Sequence, residues 1–334
     1  MIIAIPKETL GQETRVALTP HHVSKFIEKG FNIQIENNAG KQAFFDDNDY
    51  IQAGATICKN YQQTVHNANI ILKIHAPQNK ELSYLQNNQI IICDSRNIKS
   101  KSELKKFADK NITLYGLQFI PRISRTQNMD ILSSQNSLAG YEAVILGAGH
   151  SSSSIPMMIT SAGSLPALKV LVIGLGVTGL QAIATAHRLG AQIYATDINP
   201  ETEEQASSLG AKFIKEITSD FLKSIQMIIT TVSPINQTIT NLLSKEQLSH
   251  ISPSCIIIDT SGRNINPQWL NPQITLIQDD NLTRFIPHSA SRLYSENIFN
   301  FCIFICDKNN QNDEIISKTQ ICSNQQIKIN YLQE

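Results

Sequence analysis

The run Gly174-Leu175-Gly176-Val177-Thr178-Gly179 constrains the fold of this chain more than any other stretch. It follows the apolar segment Val170–Ile173 and leads into a helical pattern, Leu180–Leu189, closed by Gly190. A G-x-G-x-x-G run between a strand and a helix marks a dinucleotide-binding βαβ unit. Gly174 permits the tight turn, Gly176 lets backbone amides approach a pyrophosphate, and Gly179 lets the helix lie against the strand. Amides exposed at the helix N-terminus favour phosphate charge, so Val177 and Thr178 join the expected cofactor-binding positions. A glycine-rich turn can also hold nothing, but strand, turn and helix stand here in the order that a nucleotide requires.

Asp197 follows the next apolar run, Gln192–Thr196, about twenty residues beyond the glycines, where a carboxylate can accept hydrogen bonds from the adenosine ribose. It would repel a 2′-phosphate, and Ile198-Asn199-Pro200 bring no arginine to receive one. NAD(H) is therefore expected rather than NADP(H). The alternative role for Asp197 is to cap the turn into the following helix.

Short apolar runs alternate with helical patterns along the whole chain, which predicts parallel α/β sheets. Strands are expected at Ile2–Ile5, Asn32–Ile35, Ile70–Ile74, Ile90–Cys93 and Thr113–Phe119. After the glycine unit they are expected at Met227–Thr231, Cys255–Ile258 and Ile274–Ile277. Thr19-Pro20 opens a helix that buries Val23, Phe26 and Ile27 and stops at Gly30. A long helix over 129–148 carries the chain onward, and another helix begins at Asn199-Pro200-Glu201 and closes at Gly210. Polar Gly149–Ser154 reads as a hinge loop, and the Asn/Gln/Lys-rich tail from Lys308 as loosely ordered. The expected fold is α/β, with two Rossmann-like, doubly wound parallel-sheet domains and a cleft between them. One domain comprises residues 1–130 plus 289–334, where the apolar run Ile298–Ile305 returns; the other, 131–288, binds NAD.

At 334 residues the chain can bury two ordinary cores, and its 28 basic and 28 acidic residues leave no basic stripe for nucleic acid. The six cysteines include no CxxC pair and read as reduced, mostly buried thiols. The eight histidines show no metal-ligand spacing, and His75 reads as structural. No apolar stretch reaches the length of about 20 residues that spans a bilayer. No signal segment is expected ahead of Ile2–Ile5, so any membrane role would come through a partner.

Further motifs name a family. The run Pro121-Arg122-Ile123-Ser124-Arg125-Thr126-Gln127-Asn128-Met129-Asp130-Ile131-Leu132-Ser133-Ser134-Gln135 resembles the signature of the NAD(H)-binding alpha subunit of proton-translocating NAD(P) transhydrogenase. Ile3-Ala4-Ile5-Pro6-Lys7-Glu8, Glu13-Thr14-Arg15-Val16-Ala17, Ala53-Gly54-Ala55-Thr56-Ile57 and Ser137-Leu138-Ala139-Gly140-Tyr141 are similar to the family too. So are Pro156-Met157-Met158 with Ser161-Ala162-Gly163, and Asp313-Glu314-Ile315-Ile316-Ser317. The resemblance implies that Arg122, Gln127 and Asp130, with Ser133 beside them, sit against the nicotinamide. Gln127 and Ser133 would orient it, while Arg122 pairs with Asp130; the bland reading is a polar loop capping the helix near Asp130. It further implies hydride transfer to NADP(H) held by a membrane-embedded partner, a homodimer, and a cytoplasmic position peripheral to the inner face of the membrane.

Alanine dehydrogenase, in the same superfamily, is the enzymatic alternative. Its oxo-acid-binding Arg and Lys correspond here to Arg15 and Lys73, either of which could be a surface partner for an acid. Its catalytic His is replaced by Asp94 in Asp94-Ser95-Arg96, and Thr260–Asn264 lacks its second acid. An ordinary Asp is a poor substitute for a His near pH 7. The chain also departs from the transhydrogenase pattern. Lys215–Gln226 is much shorter than the family's mobile loop, Val232-Ser233-Pro234-Ile235-Asn236 replaces Ala-Leu-Ile-Pro-Gly, and Asn281-Leu282-Thr283 replaces Asn-Val-Pro. A catalytically weakened NAD-binding relative is thus a further alternative.

Overall fold

The computed structural model describes residues 1–232 and 241–328. They divide into two compact units, residues 1–135 with the segment from Arg284 onward, and Asn136–Thr283.

In the first unit the strands are β1 (Ile2–Ile5), β2 (Asn32–Glu36), β3 (Thr56–Cys58), β4 (Ile70–His75), β5 (Ile90–Asp94) and β6 (Thr113–Gly116). Between them run helices α1 (Pro20–Glu28), α2 (Asp47–Gln52), α3 (Tyr61–Val65), α4 (Asn79–Leu82) and α5 (Lys101–Asp109). The second unit is entered through α6 (Ile131–His150). It holds the hairpin β7 (Met158–Thr160) and β8 (Gly163–Leu165), then β9 (Lys169–Ile173), β10 (Gln192–Thr196), β11 (Lys212–Phe213), β12 (Met227–Thr230), β13 (Ile256–Asp259) and β14 (Thr275–Gln278). Its helices are α7 (Val177–Arg188), α8 (Thr202–Ser208), α9 (Ser219–Lys223) and α10 (Lys245–Ser249). The chain then returns to the first unit as α11 (Pro287–Cys306), α12 (Glu314–Thr319), β15 (Gln320–Ser323) and β16 (Gln326–Ile327).

Both main sheets are doubly wound. The first has the order β16-β15-β6-β5-β4-β1-β2-β3, parallel except for β15, which runs antiparallel to both β6 and β16; the second has β11-β10-β9-β12-β13-β14, parallel throughout. Strand order reverses beside β1 in one and beside β9 in the other, and ligands favour the carboxyl ends of strands at such switch points.

Both faces of each sheet are covered, which explains the near-continuous apolar runs of the strands. Along β9, Val170 and Val172 enter one core while Leu171 and Ile173 enter the opposite one. Along β4, Ile70, Leu72 and Ile74 point to one side and Ile71 to the other. In α11, Ile298, Phe299, Phe301, Cys302 and Ile305 join the core of the first unit.

Four sequence expectations need correction. The strand expected at Thr113–Phe119 ends at Gly116 and continues as a 3₁₀ turn, Leu117–Phe119. A Cβ at position 116 would lie 2.6 Å from Ile321 Cδ1, so a side chain there would require Ile321 to shift. The helix after the glycines starts at Val177, not Leu180, with the Leu180 amide already donating to the Gly176 carbonyl. The tail, expected to be loose, contains α12 and β15, whose Ile315, Ile316, Ile321 and Cys322 are buried. Ile315 and Ile316 join one core of the first unit, and Ile321 and Cys322 another. Of the segment expected as a hinge, Gly149 and His150 belong to α6. Residues 233–236 of the divergent Val232–Asn236 stretch lie outside the described residues.

Candidate functional site

In the second unit the glycine run forms the turn from β9 into α7. Gly174 has φ +96°, a left-handed conformation natural to glycine. A Cβ at Gly179 would lie 1.9 Å from the Gly174 carbonyl oxygen, so helix and turn touch backbone to backbone. From α6, Gly140 approaches equally closely, since a Cβ there would lie 2.1 Å from the Thr178 carbonyl. Thr231, just past β12, donates its hydroxyl to the Gly174 carbonyl at 2.8 Å. The loop is thus packed from behind, whereas a Cβ at Gly176 would meet nothing within 4 Å. Gly176 occupies the N-cap position of α7, Val177 is exposed and Thr178 half-buried.

Asp197 stands just beyond β10. One carboxylate oxygen accepts from the Leu175 amide at 2.6 Å and the other from the Asn199 amide at 2.8 Å. It therefore joins the glycine loop to the turn after β10, so its capping role is real. Each oxygen still has a lone pair for a further donor. A turn closed to side chains at Gly174 and Gly179 but open at Gly176, amides at a helix N-terminus and a carboxylate beside them fit the diphosphate and ribose of a dinucleotide. Sequence reading missed Asp259, which is fully buried. It accepts from Thr230 and Ser261 on one oxygen and from the Asn264 amide, at 2.7 Å, on the other. The short 259–264 turn is thereby fixed at the end of β13.

In the first unit residues 121–130 form a loop with one 3₁₀ stretch, Ser124–Met129. Asp130 caps α6: its Oδ1 accepts from the Ser133 amide at 3.0 Å and its Oδ2 from the Ser133 hydroxyl at 2.6 Å. The expected Arg122–Asp130 pair is not formed: Asp130 turns to Ser133, and Arg122 points to solvent. Arg122 and Gln127 are exposed, and neither side chain has a hydrogen-bond partner among the described residues. Arg125, by contrast, forks onto Asp313.

The same unit contains a buried network of charges. Arg15 donates to both oxygens of Glu13, at 2.8 and 2.6 Å, and to Gln135 Oε1 at 2.8 Å. His75 Nε2 lies 2.8 Å from Glu13. Burial opposes the Glu13 charge, yet Arg15 and His75 hold its carboxyl far below the usual range. Lys73 lies 3.3 Å from Glu8 and 3.2 Å from Glu81. Burial opposes its charge too, and the two carboxylates overcome that effect and raise its pKa. At position 94 burial works against the Asp charge, but Arg96, at 2.6 Å, keeps the carboxyl below its ordinary value.

The family model described as alanine dehydrogenase/PNT, N-terminal domain, matches residues 4–139, and the corresponding C-terminal domain model matches residues 143–330. The chain belongs to the alanine dehydrogenase/PNT family. Within it the resemblance is to transhydrogenase. An NAD(P) transhydrogenase subunit alpha of Rhodospirillum rubrum is 33% identical over 96% of this chain and 95% of its own length. The corresponding subunit of Rickettsia prowazekii is 32% identical over 99% of this chain and 97% of its length. The crystal structure of transhydrogenase from Sinorhizobium meliloti superposes with a TM-score of 0.91 at 32% identity, over 98% of this chain and 100% of that one. An L-alanine dehydrogenase, 19% identical with a TM-score of 0.85, shares the fold.

For a family that includes alanine dehydrogenases, the state of Arg15 and Lys73 is informative. Neither is the surface partner considered from sequence. Both are buried, and carboxylates of this chain occupy both. Glu8, Glu13 and Glu81 were not singled out beforehand, since an isolated Glu in sequence reads as a solvated surface residue. Glu8 and Glu13 flanking the motif around Arg15 were the only available signal.

Proposed function

We propose that this chain is the NAD(H)-binding subunit of a proton-translocating NAD(P) transhydrogenase, exchanging hydride with NADP(H) held by a partner subunit. The observation that carries the reading is the Gly174–Gly179 cradle tied to Asp197, in a chain that also carries the 121–135 run. The amides that open α7, at Gly176, Val177 and Thr178, would hold the diphosphate. Asp197 would accept from the ribose while keeping the Leu175 amide, and its charge would disfavour a 2′-phosphate. Gln127, whose amide is unengaged among the described residues, and Arg122 would meet the nicotinamide end. Asp130 and Ser133, bonded to each other, would set the entry to α6 beside them. NADH, when bound, supplies the hydride.

Transfer between two nicotinamides needs orientation and exclusion of water rather than a proton-shuttling side chain. The buried groups support this choice over alanine oxidation. His75 is bonded to Glu13, Asp94 is bound by Arg96, and the two basic residues that would hold an oxo acid are neutralised by Glu13, Glu8 and Glu81. Among the described residues no helix is long and apolar enough to cross a membrane. Coupling to proton movement would therefore pass through a membrane-embedded partner, with this chain on the cytoplasmic face. A homodimer is supported by the exposed apolar hairpin β7–β8.

One observation favours a weakened NAD-binding relative. Residues 215–226, where the family has a long mobile loop, contain the single helix α9, capped by Thr218 and anchored by buried Leu222. Single-turnover mixing of the chain and NADH with an NADP⁺-loaded partner domain separates the readings. Rapid NADPH formation that requires both proteins supports transhydrogenation; NADH binding without transfer leaves only nucleotide recognition. Replacing Gln127 with Asn should slow transfer while NADH still binds, and an unchanged rate would remove Gln127 from the account.

A further inference from the structure

The 121–130 loop contains no strand, yet it must present Arg122 and Gln127 in one shape if the nicotinamide end of the site lies there. Its two ends are fastened internally. Thr126 is buried and donates its hydroxyl to the Pro121 carbonyl. Asn297 of α11 donates to the Asn128 carbonyl at 2.9 Å and accepts from the Ser134 hydroxyl at 2.6 Å. Between these points the Arg125 guanidinium reaches outward and donates to Asp313 at 2.5 and 2.9 Å and to Glu314 at 3.3 Å.

We propose that Arg125 is a positioning residue, whose fork onto Asp313 and Glu314 fixes the loop that presents Gln127 and Arg122. The proposal rests on the transhydrogenase reading and deepens it. Three observations support it. The bidentate geometry constrains direction as well as distance, which a single contact would not. The anchor is itself tied into the fold, because Asp313 also accepts from the Ile315 amide at 2.8 Å and the following Ile315 and Ile316 are buried. The Arg125 side chain is 48% exposed. Exposed ion pairs contribute little to stability, so a role for this one lies in geometry rather than folding. Gln127 is two residues away in the same 3₁₀ stretch, and a displacement of about 1 Å at a reacting group can cost on the order of 100-fold in rate. The fork has an electrostatic consequence as well: Arg125 is compensated by two carboxylates, leaving Arg122 as the loop cation without an ion-pair partner among the described residues.

The test uses the full chain with Arg125→Ala, Arg125→Lys, Asp313→Asn, and Arg125→Ala combined with Asp313→Asn. Three quantities are read: hydrogen exchange over 121–130, NADH affinity, and single-turnover transfer to an NADP⁺-loaded partner domain. The Ala and Asn variants should exchange these amides faster and bind NADH normally, with transfer slowed by about 10- to 100-fold. The double variant should be no worse than either single one, because both remove the same interaction. Arg125→Lys, which keeps the charge without the fork, should fall between. Unchanged exchange over 121–130 overturns the proposal. So does a loss of transfer matched by an equal loss of NADH affinity, which would make Arg125 a cofactor contact. If the wild-type chain binds NADH but transfers no hydride, the transhydrogenase reading fails, and with it the effect on rate. The exchange data still decide whether Arg125 holds the loop.

Discussion

A methyl group at position 179 would lie 1.9 Å from the Gly174 carbonyl oxygen, a separation that forces the backbone of either α7 or the turn to move. Gly179→Ala should therefore cost about 1–3 kcal/mol of stability and weaken NADH binding at least about tenfold, since the amides that open α7 would shift. Denaturant unfolding and a binding titration check the two effects, and an unperturbed affinity would separate the cradle from the nucleotide. Asp197→Asn keeps an acceptor for the Leu175 amide but removes the charge. NADH should bind more weakly and the preference over NADPH should narrow, as read from the two dissociation constants. The turn itself was legible because a left-handed φ at Gly174 and backbone contact at Gly179 admit few residues besides glycine. Arg122 and Asp130 were less legible, because a loop's internal pairing depends on rotamers that spacing does not encode. Asp130 found Ser133, three residues along its own helix, instead of Arg122.

Among the elements, strands buried on both faces were readable almost to the residue, as β1 and β9 illustrate, because continuous apolar runs of four or five residues have few other uses. The ionic filling at the ends of β1 and β4 was not, since burial of Glu13, Arg15 and Lys73 follows from tertiary packing alone. That filling makes a stability prediction. Glu13→Gln leaves Arg15 buried without its counter-charge and should cost about 3–5 kcal/mol at pH 7. The sign with pH follows from the lowered Glu13 pKa. Its contribution is complete above the ordinary glutamate value of 4.5 and is lost progressively as pH falls toward the folded-state value. Urea unfolding of both proteins at pH 7 and at successive values below 4.5 should show the gap narrowing on acidification. A gap that stays constant would mean that the Glu13 charge is not what holds Arg15.

For the molecule as a whole, the hairpin β7–β8 raises the question of assembly. Its strands pair Met158 with Leu165 and Thr160 with Gly163, and every residue in both is exposed, Ile159 at 77%. From sequence, Met157-Met158-Ile159 could as well have been core, because apolar residues do not announce whether their own chain or another one covers them. An isolated two-stranded hairpin is marginal in water, and exposed apolar edges invite pairing. A second copy is an economical cover, because one self-complementary patch serves both members of a twofold dimer. The balanced net charge of zero leaves no long-range repulsion between copies. Ile159→Lys combined with Leu165→Lys should therefore convert a dimer into a monomer in sedimentation equilibrium, with NADH affinity retained, since the hairpin lies outside the glycine cradle. A wild-type chain that is already monomeric would transfer the hairpin to another partner. A double variant that stays dimeric would place the dimer contact on a different surface.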